Sequence, residues 1–502
     1  MQEMNFGGNK WELLAMLLYL ALVIGVGLYF FFKGSKNQGE KDYFLGGRNM
    51  GGWVAALSAG ASDMSAWVLM GLPGSIYLYG VGQIWISIGL LIGTVCAWVF
   101  VAPRLRRYSI VAGDSITIPQ FLTNRFLTNN KALQTIAAIV FMVVYCIYSA
   151  SSISACGTLF HTVLGISPQV AMIIATIVIV AYTFLGGFNA VCWTDFFQGL
   201  LMLGALMLAP IIAVFFMQGD SFVQPALSLG DHYYNFLSNG SWDWKSISSI
   251  LSGLGWGLGY FGMPHILIRY ISIKSEKEMK KSRIIGCVWI AIILAMATVV
   301  GLVGRQFLGD SLVDNQQNLV FIQMVRRVFP AFIGGILLSA ILAASMSTAD
   351  SQLLASSSAF SSDVYKPIFR KKASNTEMMW AGRLMVVVIA VVAFLIANNP
   401  NSGGIMALVE AAWGGFGASF GPVILLALYW KRLTYGGAVA GITVGFLTDV
   451  IWYAKLTSVT GLYEIIPGFL FGLLAAIVVS LLSKAPSKEV CALFEKSKLP
   501  TD

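Results

Sequence analysis

The chain has 502 residues, of which 57% are hydrophobic and 11% charged, and its mean hydropathy is +0.77. A soluble domain carries about 25% charged residues, so this composition excludes a protein with a water-facing surface of ordinary extent. The formal charge of +9 would suit a nucleic-acid binder, but the basic residues fall in loops between apolar runs and imply no nucleic-acid partner.

Long apolar runs alternate with short polar loops along the whole chain. A membrane span needs about 20 apolar residues. Thirteen segments meet that length, near 11–32, 52–79, 82–103, 133–163, 168–186, 191–217, 247–268, 285–305, 331–360, 378–397, 404–429, 436–454 and 464–483. This predicts an all-α polytopic membrane protein in contact with the lipid bilayer. The short alternating segments of a β-barrel do not occur. The first run, Trp11 to Phe32, is too long for a signal-peptide core and reads as a retained helix. The six cysteines lie mostly within apolar runs without paired spacing, as small buried hydrophobes rather than a disulfide frame or a metal cluster.

Thirteen spans put the termini on opposite sides. With the N-terminus outside, the inner segments hold 25 of the 32 Lys and Arg, Arg269 and Lys274 among them, and the outer segments hold six, with Arg383 inside a helix. The positive-inside rule therefore predicts the N-terminus outside and the C-terminus inside.

Two spans are unusual. The second contains Ser58-Ala-Gly-Ala-Ser-Asp63-Met-Ser65, small and polar with an acid at mid-depth, where a carboxylate costs about 2.5–3.5 kcal/mol on insertion scales. The seventh contains Ser252-Gly-Leu-Gly-Trp256-Gly-Leu-Gly-Tyr260, and each glycine is about 1 kcal/mol worse than alanine in a helix. Both stretches read as helix breaks. They lie five spans apart, so the second enters the membrane from the opposite side, as in inverted-topology repeats whose broken helices meet at the midplane. The expected organisation is a first span and inner loop at 1–51, a first repeat at 52–219, a second repeat with its outer loop at 220–430, and two last spans with a short tail at 431–502.

Asp63 is then either a structural carboxylate satisfied by freed amides or one linked to an ion or substrate. In the ninth span Ala344, Ser347 and Thr348 share one helix face, and Ser347, Asp350 and Ser351 share another. Hydroxyls and carbonyls suit a small hard cation, although Ser and Thr in membrane helices also bond their own backbone. Trp256 and Tyr260 lie four apart, Trp67 follows the first break and Tyr148 sits in the middle of span four. Such aromatics either pack in the core or against lipid, or wall a small apolar ring. Asp195, near the start of span six, reads as interfacial, and Glu410 is a buried acid without an assigned role. No His-Glu-x-x-His or phosphate-binding loop occurs. Gly417-Ala-Ser-Phe-Gly421 lies inside an apolar helix rather than at the strand-to-helix turn a nucleophile needs. No enzyme is expected.

The stretch Leu57–Gly71 resembles the second helix of the sodium/solute symporter family, in the branch that takes up proline. Asp42-Tyr-Phe-Leu-Gly-Gly-Arg48, Trp193-Thr-Asp195, Gly255–Gly262 with Pro264-His265, Leu338–Ala344 running into Met346-Ser-Thr348, and Gly461–Gly472 carry the same likeness, in order along the chain. The resemblance implies a LeuT-like fold of five-plus-five inverted repeats with one helix before and two after. It also implies uptake of proline by alternating access, driven by sodium, in a multi-pass plasma membrane protein, bacterial and of the inner membrane. Other small solutes of the family, such as sialic acid, a sugar, pantothenate or another amino acid, are the alternative. No obligatory protein partner is evident. By the family's pattern sodium would be held by Ala61, Met64, Ala344, Ser347 and Thr348, and proline by Asp63, Ser65, Trp67, Tyr148, Trp256 and Tyr260. Some relatives have a second sodium site, which would use Asp195, Asp350 and Ser351 with Ser347. Ala66 stands where Gly is common, Met263 where Gln is familiar, and Asp350 is an acid not found in every relative.

Overall fold

The structure, a computed structural model, describes residues 9–34, 40–185, 187–217, 229–230, 232–238, 240–313 and 316–501. The expected boundary between repeats at 219–220 and the inner-loop Lys36 lie outside the described residues.

Apart from one bridge between Met50 and Ile273, the regular structure among the described residues is helical. The helices are α1 (Lys10–Gly34), α2 (Glu40–Leu45), α3 (Gly52–Asp63), α4 (Gly71–Tyr79), α5 (Ile84–Cys96), α6 (Ala102–Val111) and α7 (Ile118–Asn124). Then come α8 (Ala132–Leu164), α9 (Pro168–Leu185), α10 (Phe188–Met217), α11 (Trp244–Gly255), α12 (Pro264–Ser272), α13 (Glu276–Leu308) and α14 (Val320–Val328). The rest are α15 (Ala331–Ser358), α16 (Asn375–Ala397), α17 (Gly404–Tyr429), α18 (Tyr435–Lys455), α19 (Thr457–Thr460), α20 (Ile465–Leu482) and α21 (Lys488–Lys496). Polar caps set several starts. The side chains of Asp243, Ser275 and Thr434 accept from the backbone N–H three residues on, at 2.9, 3.2 and 3.1 Å, satisfying donors that a helix N-terminus leaves open.

Among the described residues, ten helical stretches are long and apolar enough to cross a membrane, including the continuous runs 81–111 and 331–369. The expected span at 168–186 is α9, and those at 52–79 and 247–268 are helices interrupted midway. α15 and α17 lie mostly buried, whereas α1, α16, α18 and α20 turn exposed leucines, valines and isoleucines outward, as lipid contact requires.

The first interruption falls at the end of its small, polar stretch, and the second comes later than the glycines suggest. α3 stays helical through Asp63, and the chain leaves the helix at Met64 and Ser65 (φ 6°, ψ 177°), resuming with a 3-10 turn at Ala66–Val68. In the other span the four glycines are all within helical turns, the last two in a 3-10 segment at Trp256–Phe261. The break falls at Gly262 and Met263, just before Pro264. A proline disfavours helical geometry in the residue ahead of it and is preorganised for the first turn of the next helix, and Met263 is accordingly extended (φ −71°, ψ 107°). The glycines serve close packing instead: a Cβ on Gly93 of α5 would lie 2.2 Å from the carbonyl oxygen of Gly257.

Two further expectations are corrected. Arg269 is not in a loop but in α12, whose nine residues are all buried. Asp195 is not interfacial: it lies two turns inside α10 and is fully buried.

Candidate functional site

The interruption after Asp63 and the one before Pro264 bring the same kind of backbone, released from helical bonding, to one region. Asp63 ends α3, and its Oδ2 accepts from the hydroxyl of Tyr260 at 2.5 Å, while its carbonyl accepts from Tyr148 of α8 at 3.3 Å. Three of the residues expected around a solute are thus joined by two hydrogen bonds across three elements. The aromatic walls follow. Trp67 and Trp256 have ring centroids 5.9 Å apart, and Trp256 lies 5.3 Å from Tyr463 and 6.3 Å from Trp413. Trp413 Nε1 donates to the carbonyl of Trp256 at 2.6 Å, which pins the 3-10 segment that carries Trp256 and Tyr260.

Asp63 Oδ1, Ser65 Oγ and Trp67 Nε1 are buried and have no hydrogen-bond partner among the described residues. Buried polar groups are normally paired, because an unmade bond costs about 1–3 kcal/mol. Three such groups lie unpartnered beside one helix break, where a polar ligand would find donors and acceptors.

Next to it, α15 meets the last turn of α3. Ser347 Oγ donates to the carbonyl of Ala61 at 2.9 Å and lies 3.1 Å from that of Ala344, and Thr348 Oγ1 is buried with no partner among the described residues. Carbonyls of Ala61 and Ala344 with hydroxyls of Ser347 and Thr348 form an all-oxygen donor set, which fits a hard monovalent cation. Among the described residues no group of three or more His, Cys, Asp or Glu converges as a metal cluster would, and all six cysteines are free.

The third constellation is charged. Asp195, Asp350 and Ser351 come together with a partner that sequence patterning misplaced. Arg269 Nη2 bonds Asp195 Oδ2 at 3.1 Å and Ser351 Oγ at 2.5 Å, Nε bonds Ser58 Oγ at 3.1 Å, and Nη1 bonds the carbonyl of His265 at 2.8 Å. Ser58 in turn donates to Asp195 Oδ2 at 2.6 Å. Ser351 Oγ lies 2.7 Å from the carbonyl of Ser347 and 3.3 Å from Asp350 Oδ1. Buried charges persist when paired and hydrogen-bonded, which this network supplies.

Sequence reasoning thus missed Arg269, Ser58, Trp413 and Tyr463. A signal for Arg269 was present: it sits in Pro264-His-Ile-Leu-Ile-Arg269-Tyr-Ile-Ser-Ile, an apolar run that continues past it. Trp413 lies three residues after Glu410 at the start of a glycine-rich stretch, and the carbonyl of Glu410 accepts from Tyr463 at 2.8 Å.

The sodium:solute symporter family matches residues 43–445. The chain is 45% identical over 473 residues to the high-affinity proline transporter of Bacillus subtilis, covering 93% of this chain and 97% of that one. It is 41% identical over 490 residues to the osmoregulated proline transporter of Bacillus subtilis (95% and 97%), and 42% identical over 484 residues to the sodium/proline symporter of Escherichia coli (94% of each). Among solved structures it resembles a Na+-coupled sialic acid symporter in a substrate-bound outward-open state, at TM-score 0.77 and 21% identity, over 96% of this chain and 100% of that one. That likeness shows the LeuT-like fold. A nucleobase-cation-symport-1 family transporter in a closed conformation matches at TM-score 0.54 and 12% identity over 90% of this chain and 98% of that one.

Proposed function

The chain belongs to the sodium:solute symporter family, and from that premise we propose that it couples the inward flow of sodium to uptake of L-proline by alternating access. It is a multi-pass membrane transporter, not an enzyme. The observation that carries the reading is the group of buried, unpartnered polar atoms on Asp63, Ser65 and Trp67, enclosed by Trp256, Tyr260 and Tyr148. A small zwitterion with an apolar ring suits such a site. Its carboxylate takes backbone N–H groups released at the break, aided by the positive end of a half-helix. Its imino nitrogen takes Asp63, and its ring packs on Trp67, Trp256 and Tyr260.

Sodium is held by the carbonyls of Ala61, Met64 and Ala344 and the hydroxyls of Ser347 and Thr348. Because these residues tie α15 to the last turn of α3, an ion there steadies the broken helix in the shape that the solute site requires. Each ligand favours the other by one shared coupling free energy, typically about 1–3 kcal/mol. The basic bias of the loops supports an N-terminus outside and a C-terminus inside the cell, with the protein in the bacterial cytoplasmic membrane.

The test is uptake of radiolabelled proline into proteoliposomes under an inward sodium gradient, compared with an inward potassium gradient. Uptake confined to sodium and lost in Ser347→Ala supports the reading. Correctly inserted protein without proline uptake overturns the substrate, and sialic acid, sugars, pantothenate and other amino acids follow as probes.

A further inference from the structure

Where α8 packs on α15, polar side chains face one another in a row. Ser149 Oγ donates to Gln352 Oε1 at 3.2 Å, and two turns further along α8 the Cys156 thiol faces Ser345. Residue numbers rise along α8 as they fall along α15, so the two helices run antiparallel. Positions 149, 152 and 156 of α8 follow the i, i+3, i+7 spacing of one helix face, and so do positions 345, 348 and 352 of α15. The middle of the row is therefore Ser152 opposite Thr348. All of these side chains are buried.

The ends of the row are in contact and its middle is open. Ser152 Oγ and Thr348 Oγ1 bond neither each other nor any other group among the described residues. Hydroxyls inside helices commonly donate to their own backbone a turn back, and Ser151, Thr158 and Thr162 of α8 do so at 2.7, 2.9 and 2.7 Å. Ser152, on the same helix, does not. Two orphaned hydroxyls on facing helices are costly unless something occupies both, and oxygens without acidic or sulfur neighbours suit a hard cation. Thr348 is one of the residues proposed for sodium, and Ser347 beside it is already bonded to α3 through Ala61.

We propose that Ser152 adds an oxygen from α8 to the sodium site, so that the ion ties this helix as well as α3 and α15. This rests on the sodium-coupled reading of the chain. The consequence reaches the solute through one helical turn. Tyr148 lies four residues before Ser152 on the same face of α8, and its hydroxyl donates to the carbonyl of Asp63 at 3.3 Å. An ion held by Ser152 fixes the turn that aims Tyr148 at the broken end of α3, and its departure frees that turn.

The test follows sodium with and without proline. The melting temperature of full-length protein in detergent is titrated with sodium chloride, with choline chloride keeping ionic strength constant, and proline uptake into proteoliposomes is titrated in parallel. Ser152→Ala is expected to melt no lower than wild type without sodium, because it removes an orphaned hydroxyl rather than a bond. Its sodium half-saturation is expected to rise about fivefold or more in both titrations. An unchanged sodium half-saturation overturns the proposal. So does a lower sodium-free melting temperature with a wild-type shift on adding sodium, which would make Ser152 a packing residue. Should Ser152→Ala fail to insert, Ser152→Cys decides, since it is close in size and its soft sulfur is a poor ligand for a hard cation. A raised sodium half-saturation in that variant supports the proposal, and a wild-type curve overturns it. Wild-type protein that takes up proline without sodium, and whose melting sodium does not shift, defeats the symport reading and this proposal with it. Sodium dependence in the wild type that is unaltered in the variants defeats this proposal alone.

Discussion

The hydroxyl of Ser347 donates to the carbonyl of Ala61 at 2.9 Å, so α15 is bonded to the end of α3 one turn before that helix breaks. Ser347→Ala and Thr348→Ala each remove one oxygen from the proposed sodium site. The loss of a buried bond or ligand, about 1–3 kcal/mol, predicts a sodium half-saturation raised roughly 5- to 150-fold at about 1.4 kcal/mol per tenfold. Sodium titration of initial uptake at saturating proline checks this. An unchanged sodium dependence would remove both residues from the ion site.

Tyr260 is the only hydrogen-bond donor to the Asp63 carboxylate among the described residues. Tyr260→Phe keeps the ring and leaves both carboxylate oxygens unpaired. Proline affinity is expected to fall by roughly tenfold, in line with about 1–3 kcal/mol for an orphaned buried group, while the sodium concentration needed at saturating proline changes less. Equilibrium binding of proline in detergent, at fixed sodium, separates the two effects.

Ala66 opens the 3-10 turn between Ser65 and Trp67 and is fully buried. Ala66→Gly removes one methyl beside the proposed ring pocket. A single methylene is worth about 1–3 kcal/mol of discrimination, roughly 10- to 200-fold. The variant is therefore expected to accept a six-membered cyclic imino acid at least several-fold better relative to proline. Competition uptake with piperidine-2-carboxylate measures the ratio, and no change would place Ala66 outside the ring pocket.

Gly93 of α5 approaches the 3-10 segment so closely that a Cβ would lie 2.2 Å from Gly257 O and 2.5 Å from Gly257 Cα. Both obstacles are backbone and cannot rotate away. Gly93→Ala is expected to cost about 1–3 kcal/mol of overpacking, seen as a lower melting temperature in detergent, and to impair transport because the displaced segment carries Trp256 and Tyr260. Gly204→Ala on α10, where nothing lies within 4 Å, is the control and should melt like wild type.

Part of the proposed ion site can be read in one dimension because Ala344, Ser347 and Thr348 lie on one helix, whereas Ala61 and Met64 come from another. Ser347 and Thr348 declare a shared face with Ala344 by spacing alone. The two broken spans were also legible, since small residues and glycine in a long apolar run have few other uses. The first break falls within its stretch, at Met64 and Ser65, but the second does not. Gly253, Gly255, Gly257 and Gly259 look like the break and instead allow close packing, Gly253 and Gly257 against α5, Gly255 against the isoleucines of α20 and Gly259 against Trp413, while the actual break is dictated by Pro264, a strictly local steric effect on Met263.

Apolar run length and the distribution of Lys and Arg determine that this is a polytopic membrane protein and predict its orientation, because bilayer insertion acts on segments one at a time. Tertiary structure decided what no segment contains: that Arg269 pairs with Asp195, 74 residues away in sequence, and that Tyr260 reaches Asp63 across 197 residues. A charge in an apolar run reads as a loop residue until a partner is found for it. Such a partner comes from another helix, and only packing brings the two within bonding distance.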